Sequence, residues 1–280
     1  MRSGHAGVYS GSAVHHARSG PQMQTALAAG IGYVGGVVIQ ADRLAERMVA
    51  ALAAREAVLR DEQAVYGLDA LDEVGLHPVL ASGLDDEQAG GFGGVFREWP
   101  YPWVGSGDGE IGEAVPKQSE RERCDLVLTP SADLPPADGV VEARELARAS
   151  GTLFESVAAT MPGAAVAAGD ETVWLEVKAV GQYTLRGGVA QANRAYATEL
   201  VAGPLEDLFK LAQEPAIELG ASVLVLFSES EEVARHDLAR ATHQILDGGG
   251  PTGSPVWRHT PMTERIGNAI ASVAVFPLKR

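Results

Sequence analysis

The stretch Trp174-Leu175-Glu176-Val177-Lys178 decides the fold, because it places two charged residues inside an apolar β-strand. Alternate side chains of a strand share one face, so Glu176 and Lys178 point the same way while Leu175 and Val177 point into the core. A carboxylate and an ammonium group on an apolar strand cost free energy unless they are paired or used. The other interpretation is an exposed edge strand with an ordinary ion pair, which contributes about 0–1 kcal/mol.

A second acidic residue stands at the head of another apolar segment. Asp125 precedes the β-branched-rich run 126–128, which is typical of a short strand. If this strand neighbours the strand at 173–180, the carboxylates of Asp125 and Glu176 lie together beside the ammonium group of Lys178. Carboxylate oxygens select Mg²⁺ or Mn²⁺, ions that also hold substrate phosphates. The set therefore predicts metal-assisted phosphodiester hydrolysis, with the lysine orienting or deprotonating the attacking water.

Working outward from this strand, hydrophobic periodicity predicts alternating helices and strands. The predicted helices cover about 42–65, 68–84 with Pro78 inside, 141–159, 189–213 with a break at Gly203-Pro204, and 229–246. The predicted strands cover 95–99, 124–129, 173–180, 222–227 and 271–276. The run 222–227 is apolar throughout, as expected of a strand buried on both faces. The order of elements predicts an α/β domain with a central mixed sheet flanked by helices.

The domain organisation follows from where the periodicity starts. Residues 1–40 are predicted to be a disordered N-terminal extension, because the first 25 are rich in Gly, Ser and His. Residues 41–280 are predicted to form a single α/β domain. The segment 130–172 becomes a long insertion between two core strands. Such an insertion is tolerable, because loop closure costs only about 0.6 kcal/mol per doubling of length.

Composition excludes several classes of protein. The 280 residues carry a net charge of −15, from 22 Lys+Arg against 37 Asp+Glu, which argues against coating nucleic acid through bulk charge. The single cysteine, Cys124, excludes a disulfide framework within the chain and a thiolate-rich zinc site. The longest apolar stretch, 26–39, has 14 residues, and spanning a membrane takes about 20. We expect a cytoplasmic protein with no membrane contact, and a homodimer stays open.

The acidity is concentrated in one part of the chain. Residues 60–172 carry a net charge of −15, whereas residues 173–211 are neutral. Part of the acidity belongs to the candidate site itself, where a bound divalent ion would offset it. A nucleic-acid substrate is therefore expected to bind at a specific site with the help of a metal ion.

The order of these residues resembles the PD-(D/E)XK nuclease superfamily, which includes restriction endonucleases and archaeal Holliday-junction resolvases. Glu73 lies on a predicted helix before the first strand, Asp125 opens the second, and Glu176-Val177-Lys178 lies in the third. The resemblance covers about residues 68–228 and implies a restriction-endonuclease-like core. Cys124 stands where the name motif of the family has proline.

The resemblance implies a Mg²⁺-dependent or Mn²⁺-dependent nuclease acting on DNA or RNA. Asp125 and Glu176 would be metal ligands, together with the carbonyl oxygen of Val177. Lys178 would position the attacking water, and Glu73 would bind or orient groups near the metal. The alternative is a catalytically inactive module of the same fold that binds protein or nucleic acid.

Further candidates surround this set. Gln182 matches a polar position often found after the third strand of the family, and Glu98 is a weaker addition. Arg186, Arg194 and Lys210 are candidate phosphate contacts. Several structural interpretations stay open beside the functional ones. These are a strand-end cap for Asp125, a solvated helix face for Glu73, helix-surface pairing with Glu206 and Asp207 for Lys210, and a packed or solvated position for His77.

Overall fold

The computed structural model of the protein describes residues 31–34, 37–85, 92–102, 121–141 and 165–280. Its helices are α1 (Ala41–Asp61), α2 (Glu73–Leu84), α3 (Tyr196–Gln213) and α4 (Glu231–Asp247). Its strands are β1 (Ile31–Val34), β2 (Val37–Gln40), β3 (Gly94–Pro100), β4 (Arg123–Thr129), β5 (Val173–Gly181), β6 (Tyr183–Arg186), β7 (Val189–Ala192), β8 (Leu219–Ser228), β9 (Val256–Pro261) and β10 (Ile270–Pro277).

Six strands form one mixed sheet in the order β3-β4-β5-β8-β10-β9. Strands β5 and β8 are parallel, while the other neighbouring pairs are antiparallel. A parallel pair needs a crossover connection, and helix α3 lies in the one that joins β5 to β8. The predicted α/β class, with a mixed sheet flanked by helices, is confirmed.

Helices pack on both faces of this sheet. On one face, α1 and α2 contribute Leu52 and Leu80 to a core that also contains Leu175 and Val177 of β5. On the other face, α3 and α4 pack against β8 and β10 through side chains such as Leu208 and Leu238. Every residue of β8 is buried, which confirms the prediction of a strand covered on both sides.

Strand β5 lies inside the sheet, between β4 and β8. The alternative of an exposed edge strand is therefore wrong for the segment that carries Glu176 and Lys178. The neighbouring, antiparallel arrangement of β4 and β5 follows the expectation from the sequence. As predicted, residues 130–172 connect two adjacent strands of the sheet.

Helix α3 differs from its prediction at two places. It begins at Tyr196 rather than near residue 189, and it continues through Gly203-Pro204 without a break. A proline inside a helix removes one backbone hydrogen bond, and Pro204 is buried within this helix. Gly203 has a packing role, because a Cβ atom there would lie 3.1 Å from Cγ of Lys178.

The segment predicted to begin this helix instead forms a β-hairpin. Strands β6 and β7 pair in antiparallel register, joined by Gly187 and Gly188. Both glycines have positive φ, 59° and 79°, as a tight two-residue hairpin turn requires. The Gly-Gly pair was the available sequence signal. Strand β9 was also not predicted.

The N-terminal extension is described only in part. Residues 31–34 and 37–40 pair as an antiparallel hairpin, whereas the sequence predicts disorder there; residues 1–30 lie outside the described residues. Most of the helix predicted at 141–159 also lies outside them. None of the described helices has the length and hydropathy needed to cross a membrane.

Candidate functional site

The candidate site forms where β4 and β5 separate. Their ladder runs from Leu128 opposite Val173 to Leu126 opposite Leu175 and ends there. Beyond that point β5 stays paired with β8 as far as Gly181. The next residues of the two separating strands are the two acidic residues predicted to meet.

Asp125 occupies the space between the separated strands. Its Oδ2 accepts a hydrogen bond of 2.7 Å from the backbone N–H of Val177, so the carboxylate replaces the strand partner that this N–H would otherwise need. Burial, together with the charge of neighbouring Glu176, raises the pKa of Asp125 well above its ordinary value. A positive ion at this point would relieve the repulsion between the two carboxylates.

Glu176 is 3% exposed and is held from two sides. Its Oε1 accepts a hydrogen bond of 2.9 Å from Nζ of Lys210, on α3. The same oxygen accepts a hydrogen bond from the hydroxyl of Tyr101, which follows β3. The ammonium group of Lys210 also lies 4.6 Å from the centroid of the Tyr101 ring. The negative charge of buried Glu176 is therefore balanced by the ammonium group of Lys210 on α3.

Lys178 is the second charged residue of the strand, and three oxygens surround its ammonium group. Nζ lies 3.1 Å from Oε1 of Glu73, 3.6 Å from Oδ1 of Asp207 and 3.4 Å from the carbonyl oxygen of Val177. Burial lowers the pKa of Lys178, but the carboxylates of Asp207 and Glu73 outweigh it and raise the pKa overall. Lys178 therefore stays protonated at neutral pH.

Asp207 joins the cluster from α3. It is 5% exposed, and its Oδ2 accepts a hydrogen bond of 3.4 Å from the hydroxyl of Ser222. Burial raises the pKa of Asp207 to about 7, with the ammonium group of Lys178 acting in the opposite direction. The sequence offered only its helical spacing to Lys210, and the structure instead directs the two residues to different partners on β5.

His77 brings a third group of residues to the site. Each of His77, Glu98 and Asp125 offers one potential ligand atom, and these three atoms lie within 4.8 Å of one another. This group could hold a metal ion. Nδ1 of His77 lies 3.0 Å from Oε1 of Glu98, and Nε2 lies 3.6 Å from Oδ1 of Asp125. His77 is 1% exposed, so its interpretation as a solvated helix residue is wrong.

An unusual backbone conformation aims Glu98 at this group. Its φ is 52°, in the left-handed region that non-glycine residues rarely adopt. The pairing of β3 with β4 passes from Arg97 opposite Leu126 to Trp99 opposite Cys124, without a pair for Glu98. Arg123 donates a hydrogen bond of 2.7 Å to the Glu98 carbonyl. Such local distortion is common beside functional sites.

The structure brings seven of the predicted residues together and leaves three in other places. The contacts described above link Glu73, Glu98, Asp125, Glu176, Val177, Lys178 and Lys210. Gln182 instead accepts a hydrogen bond of 3.0 Å from the backbone N–H of Glu229. Arg186 is exposed on the β6–β7 hairpin, and Arg194 lies between β7 and α3. Lys210, predicted either as a phosphate contact or as a helix-surface partner, bonds to Glu176.

Three members of the cluster were missed by the sequence. His77 had one signal, because it lies one turn after Glu73 on the same helix. Asp207 had only its helical spacing to Lys210, and Tyr101 had no signal, since their partners lie on strands distant in the chain. Burial raises the pKa of the Tyr101 hydroxyl, and nearby Cys124 and Glu176 add to that effect. Tyr101 therefore acts as a neutral hydrogen-bond donor.

Comparisons with known proteins returned no match to a family model, to a curated protein or to a solved structure. The chemistry of the site therefore has to be judged from its own residues. It combines closely spaced carboxylates, a lysine whose pKa neighbouring carboxylates raise, and a buried imidazole. Such a set can bind a divalent cation, orient water and donate a hydrogen bond to an anionic oxygen.

Proposed function

We propose that this protein is a metal-dependent phosphodiester hydrolase of the PD-(D/E)XK type that acts on DNA or RNA. One observation carries the proposal. Where β4 and β5 separate, Asp125, Glu176 and Lys178 meet, and Nζ of Lys178 lies 3.1 Å from Glu73. Four predicted residues from one helix and two strands thus occupy one site.

The topology supports the same proposal. The elements α2, β3, β4 and β5 follow one another in the order on which the resemblance rests, and α3 and β8 come after the β6–β7 hairpin. Strands β3, β4 and β5 form an antiparallel meander, and β8 pairs in parallel with β5. The acidic residues fall on the second and third strands of this unit, and the lysine falls two residues after the second acid.

The donor atoms present fit a divalent cation. Asp125 and Glu176 would hold it through carboxylate oxygens, with the carbonyl oxygen of Val177 as a further ligand; oxygen ligands suit Mg²⁺ and Mn²⁺. The raised pKa of Asp125, which comes from burial beside Glu176, indicates negative charge that a cation would stabilise. When bound, such an ion polarises a phosphate and acidifies a coordinated water.

Residues around the acidic pair would orient the reacting groups and hold the metal ligands in place. Lys178 keeps its proton, because the carboxylates of Asp207 and Glu73 offset burial and raise its pKa. It would therefore orient the attacking water or contact a phosphate oxygen as a cation. Glu73 would fix the position of its ammonium group. Tyr101 and Lys210 would fix the carboxylate of Glu176 by hydrogen bonding.

The test is cleavage of single-stranded and double-stranded DNA and RNA with Mg²⁺ or Mn²⁺. We expect Lys178→Ala to lower the cleavage rate by about 100-fold or more, with an unchanged circular dichroism spectrum. Lys279→Ala is the matched control, because Lys279 is exposed at the C-terminal end of the described chain. Equal rates in the wild type and Lys178→Ala would overturn the assignment.

One observation favours the alternative, a catalytically inactive binding module. Oε1 of Glu176 already bonds both to Lys210 and to Tyr101, which leaves this oxygen less free for a cation. The module would bind nucleic acid or protein without cutting, and Glu176→Gln would leave its affinity for Mn²⁺ unchanged. Calorimetric titration with Mn²⁺ separates the two, since the hydrolase predicts binding that Glu176→Gln weakens.

A further inference from the structure

His77, Glu98 and Asp125 come from three different elements and converge on one point. His77 lies on α2, Glu98 on β3 and Asp125 on β4. Their potential ligand atoms lie within 4.8 Å of one another. Only Asp125 belongs to the acidic pair that the phosphodiesterase mechanism uses.

The imidazole of His77 points to a ligand at this place. The ring is buried, and within the described part of the chain neither of its nitrogens has a hydrogen-bond partner. Nδ1 approaches Oε1 of Glu98 to 3.0 Å, but without the alignment that a hydrogen bond needs. Buried polar atoms are ordinarily satisfied, and a cation bound between the two carboxylates would satisfy one of these ring nitrogens.

The surroundings hold the three side chains in a fixed arrangement. The left-handed backbone of Glu98 directs its side chain toward His77, and Arg123 fixes the Glu98 carbonyl. Asp125 is held by the backbone N–H of Val177. The side chain of Glu98 is 45% exposed, whereas that of Asp125 is 13% exposed. An ion could therefore enter from the Glu98 side.

We propose that His77, Glu98 and Asp125 bind a divalent transition-metal ion, a site distinct in its ligands from that of Asp125, Glu176 and the Val177 carbonyl. An imidazole nitrogen favours first-row transition ions, while Mg²⁺ prefers oxygen ligands alone. The proposal goes beyond the phosphodiesterase function, which needs no nitrogen ligand. The site discriminates between metals through His77.

The test uses Mn²⁺ alone as the probe, because pulsed electron paramagnetic resonance detects a nitrogen bonded to this ion. The wild-type chain is expected to show the nitrogen coupling, and His77→Gln is expected to lose it. His236→Gln is the matched control, since the side chain of His236 is 72% exposed, and it is expected to retain the coupling. Excess Mg²⁺ is expected not to displace the nitrogen-bound Mn²⁺.

Glu98→Gln tests the metal site without changing a buried residue of the core. Because Glu98 is partly exposed, this variant is expected to fold normally and to bind Mn²⁺ about tenfold or more weakly, the range seen when groups around a metal are removed. Equal affinity for the nitrogen-coupled Mn²⁺ in Glu98→Gln and wild type overturns the proposal, even if His77→Gln fails to fold. A nitrogen coupling that persists in His77→Gln overturns it as well.

The outcomes also separate this site from the phosphodiesterase function. Mn²⁺ that binds without any nitrogen coupling, together with Mg²⁺-dependent cleavage, overturns the transition-metal site and leaves the hydrolase intact. A nitrogen coupling without cleavage of any nucleic acid supports the site and overturns the hydrolase. The absence of Mn²⁺ binding overturns both.

Discussion

The two ends of the β4–β5 pair are built from the same strands but differ in backbone pairing and in the charge of their side chains. At the paired end, Leu126 to Leu128 bond to Val173 to Leu175, and all six residues are buried. At the open end, the ladder stops and charged side chains fill the gap between the strands. The comparison teaches that one pair of strands can form a buried apolar core at one end and a cluster of charged side chains at the other. This requires that the backbone pairing ends partway along the strands, as it does at Leu126 opposite Leu175.

The open end depends on mutual compensation among its charges. Glu176 is balanced by Lys210, and Lys178 by Glu73 and Asp207. Removing Lys210 or Lys178 leaves a buried carboxylate uncompensated, which costs more than the pair contributes. The paired end has no such dependence, because its side chains act through burial alone.

The largest expected effect on the free energy of unfolding comes from a substitution at the paired end of β4 and β5. Leu175→Ala should lower the free energy of unfolding by about 2–5 kcal/mol, because Leu175 is fully buried in the core beneath α1 and α2. Urea denaturation measures the change. Leu246→Ala is the matched control, since Leu246 is 47% exposed and should have a far smaller effect. Equal destabilisation in the two variants would contradict the role given to the paired end.

A smaller effect on stability, which depends on pH, is expected from Asp207 at the open end. Burial raises the pKa of Asp207 to about 7 from an ordinary value of 3.8. The folded state therefore binds this proton more tightly than the unfolded state does, and stability falls as pH rises from about 4 to about 7. Asp207→Asn removes that dependence, so the variant should be more stable than wild type above pH 7, by on the order of 2 kcal/mol.

Thermal unfolding at pH 5 and pH 8 measures this difference. The advantage of Asp207→Asn should be larger at pH 8 than at pH 5, where much of the wild-type Asp207 is already neutral when folded. Glu206→Gln changes the neighbouring, exposed carboxylate of α3 and serves as the control. An advantage that is equal at the two pH values would show that burial does not govern Asp207.

The smallest effect concerns the exposed hairpin beyond the open end. If nucleic acid is the substrate, Arg186→Ala should change stability by no more than about 0.5 kcal/mol. It should also reduce the dependence of log affinity on log salt concentration by about one unit for each phosphate that the variant no longer neutralises. Binding to labelled DNA and RNA at several salt concentrations measures it, with exposed Arg240→Ala as control. An unchanged slope would remove Arg186 from the substrate-binding surface.

Much of the fold was predictable because its signals are local. The apolar run in β8 and the alternation in β5 each identify a strand, and the β4–β5 adjacency placed Asp125 beside Glu176. The β6–β7 hairpin was missed because no residue of these two short strands is fully buried, and β7 is exposed throughout. Its only local signal was the Gly187-Gly188 turn.

The candidate site was predictable only along its strands. Glu176 and Lys178 share a face by strand periodicity, which any single sequence reveals. The positions of His77, Asp207 and Tyr101 depend on how α2, α3 and the end of β3 pack around the sheet. No residue spacing encodes that packing, so the compensating half of the charge network appears only in three dimensions.

The position of the long connection between β4 and β5 has a consequence for how this protein can change. Strand β4 ends at Thr129 and β5 begins at Val173, so the chain leaves and re-enters the sheet at the paired end. The carboxylates of Asp125 and Glu176 lie at the other end of the same strands. The connection can therefore lengthen, shorten or accept a whole inserted domain while the ladder holds the charged groups in place. Asp138 is the exception, because it pairs at 2.7 Å with Arg121, whose guanidinium group also donates a hydrogen bond to the carbonyl oxygen of Tyr101, the residue that bonds to Glu176.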